Sequence, residues 1–279
     1  MKKISRRGFM KSALALSTLP LVANAKEDEK SLKFIHITDS HMDLSENDSV
    51  EAMELMVAFV NENYKELDFV LFGGDNFNNN VKGNADALKF KAIIETLHCP
   101  SYVVRGNKES SPKPEDGVNL ADFKDIFLQN KELLVQGKDW MLQKNGYVIL
   151  GLDSCIEGAN NGVYTEETME FAKTVIRSLN PTVILNHHPY TNYWGSTDKK
   201  DIHKYVLNNT QEVQAEILSY SNVILTLSGH KHIDSVKEVN GTKMIVTRGF
   251  VRPLDLDAYP MRYVELNGTK ISEKLIYTS

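Results

Sequence analysis

The chain has 279 residues, 42% of them hydrophobic and 25% charged, with a formal net charge of −5. That length is ample for one large layered domain with a substantial core. The acidic balance argues against a nucleic-acid polymer as partner, which would favour a basic surface.

The first residues read as a targeting segment. Lys2, Lys3, Arg6 and Arg7 form a basic start, "SALALSTLPLV" (12–22) a short apolar stretch, and Ala23-Asn24-Ala25 a small-residue cleavage site. The apolar stretch falls well short of the ~20 residues that span a bilayer, so no stable membrane span is expected in the mature chain. "SRRGFMK" (5–11) resembles the twin-arginine export signal. That resemblance implies cleavage after Ala25, the twin-arginine translocase as a partner, and export of a folded protein to the periplasm or otherwise beyond the inner membrane. The expected organisation is a signal peptide over 1–25 and a single domain over 26–279.

The mature sequence alternates short apolar runs with helical patterns. Strands are expected at 33–38, 68–73, 101–106, 146–152, 182–186, 222–228 and 243–248, with a closing hairpin of "RYVELNG" and "KISEKLIYT" around Asn267-Gly268. Several are apolar at nearly every position, the pattern of strands covered on both faces. Helices are expected at 49–64, capped by Asp48 or Ser49, and at 85–97, 120–129, 165–179 (Thr165 as N-cap) and 211–220. The β-α-β-α order that turns strand-rich at the C-terminus predicts a layered α/β domain. Cys99 and Cys155 lack a CxxC spacing and read as two buried thiols.

The polar residues with chemistry fall just past the strand ends, where open α/β sheets bind ligands. Asp39 and His41 follow the first strand, Asp75 the second, Asn107 the third, His187 and His188 the fifth, and His230 and His232 the sixth. In an extended segment, residues i and i+2 point to the same side, so Asp39 with His41, and His230 with His232, are each expected to present a ligand pair. Gly73, Gly74, Gly106 and Gly229 allow tight turns beside them. Carboxylates with imidazoles suit Mn, Fe or Zn, and the supply exceeds one tetrahedral site. His36 reads instead as a hydrogen-bonded core residue, and His98 and His203 have no neighbours in the pattern.

D-x-H (39–41), G-D (74–75), G-N-x-E (106–109), H-H-P (187–189) and G-H-x-H (229–232), in this order, resemble the calcineurin-like metallophosphoesterase superfamily. The resemblance implies a four-layer αββα sandwich and a small phosphate-ester substrate (a phosphodiester, nucleotide or phosphomonoester), with phosphodiesterase favoured over monoesterase activity. It implies two divalent metal ions, one held by Asp39, His41, Asp75 and His232, the other by Asp75, Asn107, His187 and His230. In such sites the ions lie ~3.5–4 Å apart and share a hydroxide that attacks phosphorus. His188 is expected beside the metals rather than on one.

One position departs from the pattern: Lys108 stands where the superfamily carries a histidine facing the phosphate. Three readings are open. Lys108 stabilises phosphate charge, which a lysine does without unusual chemistry; or it donates a proton, which requires neighbouring cations to favour its neutral amine; or the protein is a catalytically attenuated metal- and phosphate-binding relative. Without that histidine, substrates with good leaving groups, or with His188 as alternative acid, are favoured. "YTNYWGSTDKK" (190–200) is a candidate substrate rim, with Tyr193 and Trp194 stacking on a base or sugar. Arg248 and Arg252 are candidates for phosphate contact.

Overall fold

The computed structural model describes residues 31–191, 205–251 and 258–278. The expected signal segment, the rim residues Tyr193 and Trp194, and Arg252 lie outside them. Twelve strands are present among the described residues: β1 (Ser31–Ile37), β2 (Phe69–Phe72), β3 (Ser101–Val103), β4 (Leu134–Gln136), β5 (Asp139–Lys144), β6 (Tyr147–Gly151), β7 (Thr182–Leu185), β8 (Val223–Ser228), β9 (Ser235–Val239), β10 (Thr242–Val246), β11 (Pro260–Asn267) and β12 (Lys270–Tyr277). Five helices join them: α1 (Asn47–Asn63), α2 (Ala85–Ile94), α3 (Leu120–Phe127), α4 (Glu166–Ile176) and α5 (Thr210–Glu216).

The strands form two mixed sheets, ordered β12-β11-β1-β2-β3 and β4-β5-β6-β7-β8-β10-β9. In the first, β1, β2 and β3 run parallel. In the second, β6, β7, β8 and β10 run parallel. Alternation of side chains along each strand explains the layers. Leu142, Ile149, Val183, Leu185 and Leu225 of the second sheet share one core with Phe34, Phe69 and Leu71 of the first and with Met53 of α1 and Phe90 of α2. Met141, Val148, Leu150 and Ile184 point the other way, into a second core with Phe171 and Val175 of α4 and Val213 of α5. The result is the expected α/β fold of two packed sheets flanked by helices. Trp140 ties the sheets together: its ring lies over Gly151, and its Nε1–H donates to the Val103 carbonyl at 2.9 Å.

Three strands have no counterpart in the sequence pattern. β4 is three half-buried residues, β9 ("SVKEV") is an exposed edge, and β5 ("DWMLQK") carries neither clean alternation nor an apolar run. The α1 cap also differs. Glu46 is the N-cap and makes no side-chain cap bond. Ser49 is instead recruited by the preceding loop, its hydroxyl accepting the Asp43 N–H at 2.9 Å and donating to the Glu46 carbonyl at 2.8 Å. Thr165 does cap α4, accepting the Thr168 N–H. Cys99 and Cys155 are buried and free, and no described helix is long and apolar enough to cross a membrane.

Candidate metal centre

All seven expected ligand residues converge at the C-terminal ends of β1, β2, β3, β7 and β8, where the two sheets meet. Their presentation differs from expectation. Asp39, His41, Asp75, His230 and His232 have φ of 56, 45, 49, 68 and 55°, so neither D-x-H nor H-x-H is extended. Each is a left-handed turn residue, a conformation that L-residues hold only when their surroundings fix it. The fixing bonds are visible. Past the strand ends, the N–H groups of Asp39 and His41 donate to the carbonyls of Gly74 and Asp75 at 2.9 and 2.8 Å. The His230 N–H donates to both Asp39 oxygens, at 3.1 and 2.9 Å. Gly106 and Gly229 are required by close approach rather than by turning. A Cβ on Gly106 would lie 2.2 Å from the Asp75 nitrogen, and one on Gly229 1.9 Å from Thr38 Oγ1.

Glu109 joins the second and third loops. Its buried carboxylate accepts the N–H groups of Gly106 (2.8 Å), Asn76 (2.6 Å) and Asp75 (3.1 Å). Burial and the Asp75 charge push its carboxyl up to about 7, against these backbone donors.

The donor atoms form two groups around Asp75. His41 Nε2 lies 3.8 Å from Asp75 Oδ2 and 3.9 Å from Asp39 Oδ1, and His232 Nε2 lies 3.1 Å from Asp39 Oδ1. On the other side, His187 Nε2 lies 3.5 Å from Asp75 Oδ1, 3.1 Å from Asn107 Oδ1 and 3.2 Å from His230 Nδ1. Asp75 therefore turns one oxygen to each group.

The chemistry of this set fits divalent cations. His187 Nδ1–H donates to the Gly73 carbonyl at 2.9 Å, which aims Nε2 at three electron-rich atoms. Such a cluster needs positive charge between its members. Without an ion, that charge is a proton: burial lowers the His187 pKa, but the Asp75 charge outweighs it and raises the value to about 9. Burial likewise raises Asp39, yet the His232 hydrogen bond and the His187 charge bring it down to about 2. His41 is lowered by burial and so favours its neutral, ligating form.

His188 is fully buried beside His230, ring centroids 4.5 Å apart. Its two ring nitrogens are engaged, Nδ1 with Ser154 Oγ at 2.8 Å and Nε2 with the Asn160 carbonyl at 3.2 Å. His36 is a core residue, its Nδ1 2.8 Å from Thr247 Oγ1. The cluster opens onto a cleft of about 350 Å³ lined by Lys108 and, among others, Lys113, Asn160, Tyr205, Asp43 and Asn78. These last five are absent from the sequence reading. Only Asn78 had a signal, the asparagine run "NFNNN" directly after Asp75.

A family model for the calcineurin-like phosphoesterases matches residues 32–234. The chain is 24% identical over 230 residues to a 3',5'-cyclic adenosine monophosphate phosphodiesterase of Haemophilus influenzae, covering 77% of this chain and 75% of that protein. It is 24% identical over 209 residues to a 3',5'-cyclic-nucleotide phosphodiesterase of Nostoc sp., covering 72% and 71%. The crystal structure of a dimetal phosphatase from Danio rerio shares the fold, with a TM-score of 0.64 and 14% identity over 89% of this chain and 99% of that one.

Proposed function

Because the chain belongs to the calcineurin-like phosphoesterase family, we propose that it hydrolyses a small phosphodiester at a binuclear metal centre. The carrying observation is Asp75, whose two oxygens face two separate donor groups. Asp39, His41, Asp75 and His232 would hold one ion, and Asp75, Asn107, His187 and His230 the other. Two divalent ions there, Mn, Fe or Zn, would supply water activation at neutral pH and positive charge toward the phosphoryl oxygens.

The remaining work falls to the chain itself. Lys108 lines the cleft, half-buried, and its Nζ has no hydrogen-bond partner among the described residues. In this reading its side chain would meet the non-bridging oxygens as a positive charge. His188 is held neutral: burial lowers its pKa well below the usual value. With both nitrogens engaged, it packs against His230 and orients that ring rather than protonating a leaving group. With Lys108 as a charge and His188 neutral, no acid is assigned among the described residues, and this reading favours substrates with good leaving groups. The names of the two curated relatives make cyclic nucleotides the first class to assay. From residues 1–25 we also place this chemistry beyond the inner membrane, after twin-arginine export.

The test is hydrolysis of bis-p-nitrophenyl phosphate, p-nitrophenyl phosphate and 3',5'-cyclic AMP by the Mn²⁺-reconstituted protein, with Asp75→Asn as control. Turnover of a diester that Asp75→Asn abolishes is expected. Stoichiometric metal binding with no hydrolysis of any ester would instead favour the attenuated metal- and phosphate-binding reading, for which Lys108 is the observation.

A further inference from the structure

His41 turns its two ring nitrogens in opposite directions. Nε2 points into the donor cluster, 3.0 Å from His232 Nε2. Nδ1 points away from it, to Asn78 Oδ1 at 3.1 Å. Behind Asn78 lies Asp43, whose Oδ2 accepts from Asn78 Nδ2 at 2.9 Å and from Asn80 Nδ2 at 2.6 Å. The other Asp43 oxygen accepts the Ser45 N–H at 2.9 Å and the Ser45 hydroxyl at 2.6 Å. Asp43 is 1% exposed, and beyond these four donors the Lys113 charge across the cleft also favours its ionised form.

We propose that Asp43 is a positioning residue for the metal centre, acting through Asn78 to hold His41 in the tautomer whose lone pair lies on Nε2. An ionised carboxylate only accepts hydrogen bonds, so Asp43 takes the amide nitrogen of Asn78 and not its oxygen. The amide oxygen is thereby turned to His41. A ring nitrogen facing an oxygen acceptor carries the proton, so Nδ1 is N–H and Nε2 keeps its lone pair. That lone pair is what a cation at Asp39, Asp75 and His232 requires, and partners of this kind commonly set ligand orientation and basicity. The His41 main chain is fixed separately by its N–H bond to the Asp75 carbonyl, so the relay acts on the ring alone. This inference rests on His41 being a ligand as proposed above.

Histidine-labelled, metal-free protein tests it. Long-range proton–nitrogen correlations of the His41 ring are expected to show Nδ1–H in the wild type and a tautomer mixture in Asp43→Asn. Mn²⁺ affinity by calorimetry is expected to fall about 10–100-fold in Asp43→Asn. Because Asp43 also holds Ser45, the swap Asp43→Asn with Asn78→Asp separates positioning from folding. It restores the alternation of donor and acceptor and is expected to return both readouts toward wild type. Should the swap fail to fold, Asn78→Ala removes the acceptor while leaving Ser45 and Asn80 on Asp43, and is expected to lose the tautomer preference. An unchanged tautomer in Asp43→Asn or Asn78→Ala overturns the proposal. So does a folded swap that does not recover affinity. A wild type that binds no Mn²⁺ refutes the ligand assignment instead, and the ring signals still decide whether Asp43 sets the tautomer.

Discussion

The main-chain N–H of Lys108 donates to Oδ1 of Asp75 at 2.7 Å. The residue that stands in place of histidine is thus pinned, by its backbone, to the carboxylate between the two donor groups. Its side chain can be exchanged without disturbing that bond.

Lys108→Ala is therefore expected to keep metal content while losing on the order of 10²-fold in kcat on a diester, the cost of removing one preorganised charge-stabilising group. Lys108→His separates charge from proton donation. Histidine is largely neutral above pH 7, so a loss on p-nitrophenyl esters, where charge alone matters, with a smaller loss on alkyl esters, is the expected result. A gain on both ester types would mean that the lysine marks an attenuated site rather than a charge the present chemistry uses.

The donor groups draw on both sheets, Asp39, His41, Asp75 and Asn107 from one and His187, His230 and His232 from the other. Metal binding there would thereby be linked to keeping the sheets together. Saturation at 100 times Kd stabilises by about 2.7 kcal/mol. Chelation should lower the melting temperature, and restoring Mn²⁺ should recover it. A melting temperature indifferent to chelator would count against the site.

Glu109→Gln tests the joint between the Asp75 and Asn107 loops. A neutral amide turns one NH₂ group toward backbone donors, leaving buried N–H groups unpaired at about 1–3 kcal/mol. Chemical denaturation should show that loss, and Mn²⁺ affinity should fall with it.

Gly151→Ala tests the contact that ties the sheets. The added Cβ would lie 2.0 Å from Cε2 of Trp140, and Trp140 is 1% exposed with its Nε1–H committed to Val103. Overpacking of this kind costs about 1–3 kcal/mol, to be read as a lower denaturation midpoint.

Asp139 gives a pH signature that does not involve the donor residues. It accepts the Asp153 N–H at 2.7 Å and the Thr168 hydroxyl at 2.8 Å, and it faces the Asp153 carboxylate, which Arg105 and Lys138 approach at 2.6 and 3.6 Å. Burial pushes its carboxyl up to about 7, the Asp153 charge adding to the rise. The folded form thus holds a proton that the unfolded chain releases near ~4. The stability from this group is full below that value and is lost as pH rises toward 7. Relative to wild type, Asp139→Asn should gain in melting temperature between pH 4.5 and pH 8. A difference that stays flat over that range would refute the assignment.

The parallel strands and the convergence of the seven candidate donor residues were legible because each motif sits where an apolar run ends, a signal carried by single residues. What escaped were features that depend on partners remote in sequence. β9 exists because β10 offers it an edge, and β5 because β6 pairs with its mixed residues. Asn160 reaches Asn107 and His188 from a loop with no motif of its own. Spacing also paired Asp39 with His41, which do come within 3.9 Å, though on left-handed turns rather than a strand, whereas His230 and His232 fall into separate donor groups.

Those turns narrow the alphabet from which such a centre can be written. Asp, Asn and His are the non-glycine residues that tolerate positive φ best, and they are also oxygen and imidazole donors. At Asp39, His41, Asp75, His230 and His232, a residue would have to satisfy the backbone and the proposed ion at once. Glutamate or cysteine, though competent donors, would meet a conformational penalty before coordination begins. Glycine would relieve the backbone and forfeit the donor. Retargeting this centre to another metal by exchanging donor atoms would therefore require rebuilding the loops as well as the side chains.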